Sequence, residues 1–119
     1  MLTIELPWPD RRLHPNARVH WAKKAPVTKR SRHEAKCLAR NVIKAPIKAE
    51  NVHVTAIFHP PDRQKRDRDG LLASLKAAFD GISEVIGIDD SRWEYATKLG
   101  EVRRPACVIL QFETIPCSP

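Results

Sequence analysis

Two apolar periodicities alternate along this 119-residue chain, and their order constrains the fold more than any other feature of the sequence. Apolar residues at every second position predict strands, and apolar residues at helical spacing predict helices. Taken in order, the segments predict β-α-β-α-β-β. We therefore expect one small α/β (α+β) domain over residues 1–119, with two helices covering a mixed sheet of about four strands.

The first half of the chain predicts a strand, a loop and a helix. Leu2–Leu6 alternates apolar and polar residues, and Pro7 or Pro9 ends this strand. Residues 8–27 carry prolines and scattered bases and are predicted to form a long basic loop. A helix is expected from about Thr28 to Pro46. Its predicted N-cap is Thr28 or Ser31, with Glu34 completing a capping box, and its apolar face is Ala35, Leu38, Ala39 and Val42.

The second half predicts a strand, a helix and two more strands. A strand over about 51–59 ends at Pro60-Pro61, and a charged loop follows over 62–70. A helix is expected over about 70–83, with Gly81 and Gly87 at its frayed end. Strands over about 93–102 and 106–113 complete the domain, and the tail after about residue 114 is expected to be disordered.

The whole excess of positive charge lies in the first half of the chain. Residues 1–50 hold 12 Lys and Arg against four acids, while residues 51–119 hold nine against ten. Such asymmetry favours a polyanionic partner, because basic side chains that displace condensed counterions gain affinity for nucleic acid. A basic surface that only keeps the protein soluble is the alternative. The predicted phosphate contacts are Arg18, Lys23, Lys24, Lys29, Arg30 and Arg32.

Four acids form two short clusters that predict a metal site. Asp67 and Asp69 lie just before a predicted helix, and Asp89 and Asp90 lie in a tight turn about twenty residues later. Carboxylate oxygens are the ligands that Mg²⁺ prefers, and a bound cation would neutralise charge on a phosphodiester. A solvated loop with local ion pairs is the alternative. The acids of the first pair are surrounded by further DNA-binding candidates, Arg63, Lys65, Arg66 and Arg68.

Lys76 is predicted to act beside these acids. It lies seven residues after Asp69, which returns it to nearly the same face of one continuous helix. Its ammonium group would then approach a phosphate held at the acids and stabilise transition-state charge. The alternative is a surface lysine paired with Asp80 four residues later.

Several classes of protein are made improbable by the sequence. No apolar run approaches the ~18 residues of a membrane helix, and the N-terminus lacks the basic start of a secretory signal. The odd number of cysteines and their spacing favour reduced thiols in a cytoplasmic protein over disulfides or zinc. These cysteines are Cys37, Cys107 and Cys117.

The chain resembles the RusA family of Holliday junction resolvases. The resemblance is carried by Leu6-Pro7-Trp8-Pro9, by Arg66-Asp67-Arg68-Asp69 leading into a helix, and by Ile88-Asp89-Asp90-Ser91. It spans about residues 2–112. It implies a homodimer that uses Mg²⁺ or Mn²⁺ to cut four-way DNA junctions in recombination and repair, as in bacteria and their prophages.

The resemblance also implies roles for individual residues. Asp67, Asp69 and Asp90 match the catalytic, metal-binding acids, Asp89 is a further outer ligand, and Lys76 matches the functional lysine. Gly70 stands where the family usually has Asn, and the lysine spacing best known in the family falls on Ala73.

Two other functions remain open at this level. A non-catalytic DNA-junction-binding module would retain the basic surface with a decayed active site. A basic subunit that associates with RNA or the ribosome would show no preference for four-way junctions.

Overall fold

The computed structural model describes residues 2–115, which fold into one α+β domain around a four-stranded mixed sheet. The strands lie in the order β1-β4-β2-β3. β4 pairs antiparallel with both β1 and β2, and β2 pairs parallel with β3. The elements are β1 (Leu2–Pro7), α1 (Trp21–Val42), β2 (Asn51–His59), α2 (Arg68–Ala73), α3 (Lys76–Ile86), β3 (Trp93–Leu99) and β4 (Cys107–Ile115).

The predicted order of elements and the mixed sheet are confirmed. β2 matches its predicted range, while β3 ends earlier than predicted and β4 extends to Ile115. Apart from Ile115, the tail predicted to be disordered lies outside the described residues. Within residues 2–115 the structure has no helix both long and apolar enough to cross a membrane.

One apolar core joins the helices to one face of the sheet. β2 contributes alternate residues such as Val54 and Phe58, because successive side chains of a strand point to opposite faces. α1 contributes Ala35 and Ala39, and α3 contributes Ile82 among others. The buried positions Val52, Val54, Ala56 and Phe58 recur at every second residue, as the apolar pattern of this strand does in the sequence.

The prediction of a basic loop over residues 8–27 was wrong in two places. A 3-10 turn forms at Arg11–Leu13, and α1 begins at Trp21 instead of near Thr28. The N-cap is His20, whose Nδ1 accepts a hydrogen bond from the Ala22 amide at 3.2 Å. Pro26 lies inside the helix, although a proline there typically costs about 3 kcal/mol. Packing of Val27, Ala35 and Ala39 against the core offsets this cost.

The predicted helix over 70–83 is two helices. α2 ends at Ala73 and α3 begins at Lys76. The Ser74 hydroxyl donates a hydrogen bond to the Gly70 carbonyl at 2.9 Å, which is the local competition that makes serine a poor residue in a helix interior. Lys76 therefore starts a new helix, and its predicted position on one continuous helix with Asp69 was wrong.

Gly81 lies inside α3 at its closest approach to α1, so its predicted place at a frayed end was wrong. A Cβ at this position would overlap the Arg32 carbonyl oxygen and lie 3.3 Å from the Lys36 amide nitrogen. Gly87 does end the helix, in the left-handed conformation that favours glycine.

We predict that Gly81→Ala destabilises the domain by about 1–3 kcal/mol, because the two helix backbones must separate to admit a methyl group. Urea unfolding followed by circular dichroism measures this change. Arg40→Ala, an exposed substitution on α1, is the control and should change stability by less than about 0.5 kcal/mol. Equal stability of Gly81→Ala and the wild type would contradict the close packing of α1 on α3.

Candidate functional site

The register of the sheet brings two distant loops together. Pro7 at the end of β1 and His59 at the end of β2 both lie opposite Cys107 of β4. The chain leaves both strands at the same edge, so the segment after Pro7 runs beside the segment after His59. These segments and α2 enclose a cavity of about 880 Å³, called here the cationic cavity. It is lined by Trp8, Pro9, Asp10, Arg11, Arg12, His14, Lys65, Arg66, Asp67, Leu71 and Ser74.

Trp8 and Arg66 pack against each other and form one wall of the cationic cavity. The Trp8 ring packs edge-on against Phe58 of the core, with ring centroids 6.1 Å apart. The Arg66 guanidinium lies over the same indole, 5.6 Å from its centroid, and pairs with Asp62 at 2.8 Å. A cation held over an indole face is stabilised by the ring quadrupole. Arg66 is thereby held at the cavity while it retains donors for an anion.

A second ion pair orders the opposite wall of the cationic cavity. Asp10 accepts hydrogen bonds from the Arg12 side chain at 2.8 and 3.0 Å and from its backbone amide at 2.9 Å. These bonds, led by the guanidinium, lower the pKa of Asp10 to about 2. Asp10 therefore remains ionised near neutral pH and fixes the 3-10 turn that carries Arg11 and Arg12.

Asp67 borders the cationic cavity and caps α2. Its Oδ1 accepts a hydrogen bond from the Asp69 amide at 3.1 Å, which stabilises the helix start. The Asp67 side chain is exposed, so its second oxygen remains open to ligands from the cavity side. The capping bond also fixes the position of Asp69 relative to Asp67.

His14 occupies the space that a side chain at position 70 would need. A Cβ on Gly70 would overlap His14 Nε2 and would lie 3.3 Å from Asp67 Oδ2. His14 Nδ1 accepts a hydrogen bond from the Asn16 amide at 3.1 Å, so in the neutral ring Nε2 carries the proton. An imidazole N–H donor therefore stands beside Asp67, where the resemblance led us to expect an asparagine side chain.

The other side of α2 faces a second pocket, called here the acidic pocket. It has a volume of about 440 Å³. Asp69, Lys76 and Asp90 line it together, although they come from the start of α2, the start of α3 and the turn before β3. The remaining lining residues are Leu72, Ala73, Phe79, Ser91 and Tyr95.

Lys76 connects the two predicted acidic segments. Its Nζ donates to Asp80 Oδ1 at 3.0 Å and also to Asp90 Oδ2. The Asp90 side chain is only 12% exposed and the Lys76 side chain is 63% exposed, so the ammonium group lies at the mouth of the pocket. The hydrogen bond with Asp90 raises the pKa of Lys76, which therefore stays charged across the physiological range. Sequence analysis offered two alternatives for Lys76: a surface pair with Asp80 or a place beside the predicted catalytic acids. In the structure Lys76 contacts both Asp80 and Asp90.

The turn before β3 orients Asp89 and Asp90 differently. Asp89 Oδ1 accepts a hydrogen bond from the Ser91 amide at 2.9 Å, and this bond lowers the pKa of Asp89. Asp89 thus caps the 3-10 turn Asp90–Arg92, while Asp90 faces the acidic pocket. The Tyr95 hydroxyl donates to the Asp90 carbonyl at 3.0 Å and fixes the turn from the strand side.

The predicted metal ligands fit Mg²⁺ in chemistry but are not assembled into a cluster. They supply the hard carboxylate oxygens that Mg²⁺ takes, often only one or two per ion with water completing the shell. Among residues 2–115, however, no three His, Cys, Asp or Glu side chains form a metal-binding group. Asp69 and Asp90 share the acidic pocket, Asp67 lies on the cavity side of α2, and Asp89 lines neither pocket. In this arrangement the cation in contact with Asp90 is Lys76.

Apart from Arg18, the predicted DNA-binding residues fall into two groups along the chain. Lys65 and Arg66 line the cationic cavity, and the exposed Arg63 and Arg68 flank them in the chain. Arg18 lies in the loop before α1. The others lie on α1, where Arg32 also pairs with Glu84 of α3 at 2.7 Å. This second set comprises Lys23, Lys24, Lys29, Arg30 and Arg32.

Several residues of the two pockets were not predicted from the sequence as part of the site. They include Arg11, Arg12, His14 and Tyr95. The first three lie in the segment predicted as an irregular loop, and nothing in their spacing pointed to the acids near residue 67. The signal that was present is the group Arg11, Arg12 and His14, which begins two residues after the Leu6-Pro7-Trp8-Pro9 motif.

Tyr95 provides a test of this geometry, because it is the only tyrosine in the chain. Burial, followed by the charge of Asp90, raises the pKa of Tyr95 to about 12. We predict that absorbance at 295 nm titrates near pH 12 in the folded protein and near about 10 in urea. Since the folded-state pKa is raised, Tyr95 contributes stability below about pH 10 that is lost as the pH rises towards 12.

Asp90→Asn should lower the Tyr95 midpoint in the same titration, because it removes a nearby negative charge. Glu94→Gln is the matched control, since adjacent strand residues point to opposite faces of the sheet. An equal effect of both substitutions, or a wild-type midpoint near the value in urea, would contradict the placement of Asp90 beside Tyr95.

Comparison with known proteins shows similarity to a bacterial protein. The chain is 37% identical over 120 residues to an uncharacterized protein of Xylella fastidiosa (strain Temecula1 / ATCC 700964). The alignment covers 97% of this chain and 78% of that protein. No family model matches the chain.

Proposed function

We propose that this chain, which belongs to the same protein family as the uncharacterized Xylella fastidiosa protein, is a metal-dependent, structure-selective DNA endonuclease. Its proposed reaction is the resolution of four-way (Holliday) junctions by paired phosphodiester hydrolysis, as the resemblance to RusA resolvases implies. The observation that carries the proposal is the meeting of Asp69, Lys76 and Asp90 in one pocket. Three separate segments supply these residues.

The charge distribution supports a phosphodiester substrate. The cationic cavity and the acidic pocket flank α2, so bases and acids alternate over a short stretch of surface. Basic side chains position a DNA backbone without reading its sequence. In this proposal Arg11, Arg12, Lys65 and Arg66 hold the strand, and the acids face the phosphate to be cut.

In this proposal Asp69 and Asp90, which share the acidic pocket, would hold Mg²⁺ or Mn²⁺. The resemblance adds Asp67, which lies on the other side of α2, as a third ligand and Asp89 as an outer contributor. When bound, such an ion lowers the pKa of a coordinated water and neutralises charge on the phosphate. The chain itself supplies the positioning: the Asp67 cap fixes Asp69, and the Tyr95 hydroxyl fixes the backbone of Asp90.

Lys76 has two roles in this proposal. Before the substrate binds, its ammonium group neutralises the nearly buried Asp90 carboxylate, which would otherwise be costly to desolvate. When a phosphate enters the pocket, the same exposed ammonium group donates to it and stabilises the charge that develops during hydrolysis. Its pairing with Asp80 holds it at the pocket mouth in both states.

The biological setting is part of the same proposal. Two symmetric cuts in a four-way junction require two active sites, so a homodimer with two-fold symmetry suits the substrate. We place the protein in the cytoplasm, in DNA recombination and repair on a chromosome or a prophage.

A second candidate function is a DNA-junction-binding module without catalysis. The observation that favours it is the absence, within residues 2–115, of an assembled group of metal ligands. A pure binder gains nothing from acids that face phosphate, so Asp67→Asn should preserve or improve its affinity for DNA.

We predict that the wild-type protein nicks a labelled four-way junction symmetrically in Mg²⁺ or Mn²⁺ and leaves a linear duplex of equal length intact. Asp69→Asn should lower the rate by at least about a hundredfold, because one ligand oxygen loses its charge. Glu94→Gln, an exposed acid outside both pockets, is the control and should retain the wild-type rate. Junction binding without cuts in either metal would exclude the nuclease and leave the binding module.

Replacing Lys76 should separate metal binding from cleavage. We predict that Lys76→Met binds Mn²⁺ several-fold more tightly than the wild type, because Asp90 no longer has an ammonium partner. Nicking should fall by about 10²- to 10³-fold, the usual loss when a donor to developing charge is removed. Titration followed by electron paramagnetic resonance measures the first change, and Lys98→Met, an exposed lysine on β3, is the control. Weaker Mn²⁺ binding by Lys76→Met would exclude competition between Lys76 and the metal.

A further inference from the structure

The three tryptophans of the chain have different surroundings. Trp93 is 5% exposed and packs against Phe79 and Phe112, while the half-buried Trp8 packs against Phe58. Trp21 is 74% exposed and is the most exposed large apolar side chain in the described part of the protein. Core packing therefore accounts for Trp8 and Trp93 and leaves Trp21 unexplained.

Trp21 is held in place although it is exposed. It is the first residue of α1, directly after His20, whose ring accepts the capping hydrogen bond from the Ala22 amide. The rings of His20 and Trp21 are tilted by 32° with their centroids 5.7 Å apart. An aromatic ring that is already oriented loses little side-chain entropy when a ligand binds.

The surface beside Trp21 is an open, basic groove of about 500 Å³. The residues that line this groove recur at intervals of three or four positions, so they share one face of α1. Lys24 and Lys29 have no ion pair within residues 2–115, and only Arg32 is paired, with Glu84. This stacking groove, as we call it, is lined by Trp21, Lys24, Ala25, Thr28, Lys29 and Arg32.

We propose that the stacking groove binds an unpaired nucleobase of DNA, with the base on the Trp21 ring and adjacent phosphates at Lys24 and Lys29. An aromatic ring beside cations suits this ligand, because bases stack on indoles while the backbone requires positive charge. The inference rests on the DNA-binding part of the proposed function and is independent of hydrolysis.

Such a site gives a physical reason for selecting a branched structure. In a continuous duplex the faces of the bases are covered by their neighbours, so a protein ring has no face to stack on. In a single strand a base is accessible without the cost of opening a pair. At a strand exchange point the bases are paired but the continuous stack of a duplex is interrupted, so Trp21 would favour a base there while the basic surface would attract the polyanion.

The test measures DNA affinity in EDTA, where no metal-dependent cut occurs. Trp21→Leu should bind a fluorescein-labelled single strand of thymidines about 5- to 100-fold more weakly than the wild type, the usual effect of removing one stacked base contact. Its affinity for a duplex of equal length should stay within about twofold. Trp21→Phe, which keeps an aromatic face, should recover most of the affinity for the single strand.

Salt dependence distinguishes stacking from charge. Trp21→Leu should leave the slope of log affinity against log salt unchanged, whereas Lys24→Ala should reduce its magnitude by about 0.7 on a single strand. Val42→Ala, which truncates another exposed apolar side chain of α1, is the control and should match the wild type. Circular dichroism of each variant verifies that α1 is intact.

Three results would overturn the inference. The first is single-strand binding by Trp21→Leu equal to that of the wild type. The second is an equal loss on duplex and single strand. The third is a change of oligomeric state with unchanged DNA affinity, which would make Trp21 part of an interface between copies of this chain.

If the wild-type protein binds no DNA, the proposed function fails together with this inference. Junction cleavage with unchanged Trp21→Leu binding removes the inference alone.

Discussion

The insertion of β4 between β1 and β2 is the constraint on which the rest of the structure depends. Antiparallel hydrogen bonds on both sides of β4 place Cys107 opposite both Pro7 and His59. β1 and β2 therefore run in the same direction and end at the same edge, although more than forty residues separate them in the chain. A shift of one residue in either register would turn every core side chain of that strand to the opposite face, so the apolar core fixes this alignment.

Local hydrogen bonds then position the acidic side chains at the two pockets. Asp67 and Asp89 both act as caps, and each cap fixes the acid that follows at a pocket. The interruption of the helix at Ser74 separates α2 from α3 and lets Lys76 begin a new helix beside Asp90. Lys76 pairs with Asp80 within α3 and with Asp90 in the turn before β3, and the second contact is one that helical spacing could not predict.

Charge in this protein is organised in opposed pairs around α2. Buried or half-buried acids have basic partners, as in Asp10 with Arg12 and Asp90 with Lys76. Among residues 2–115, Arg11 and Lys65 of the cationic cavity and Lys24 and Lys29 of the stacking groove form no ion pair and remain open to a polyanion. Gly70 and His14 are packed closely together, and the imidazole fills the volume that a side chain at position 70 would occupy. The departure from the asparagine of the resembling family is therefore accompanied by another polar group at the same place.

Local sequence patterns predict the order of elements, the range of β2 and the segments that carry the acids. Periodicity of two or of 3.6 residues is a local property, and turn residues such as Pro60-Pro61 are local as well. The approach of Lys76 to Asp90 and the place of His14 beside Asp67 follow from the tertiary fold, because contacts between residues far apart in the chain leave no periodic signal in a single sequence. The start of α1 at Trp21 and the break at Ser74 involve local side-chain hydrogen bonds, which apolar periodicity does not report either. The exposure of Trp21 belongs to the same class, because composition cannot distinguish a tryptophan of the core from one on the surface.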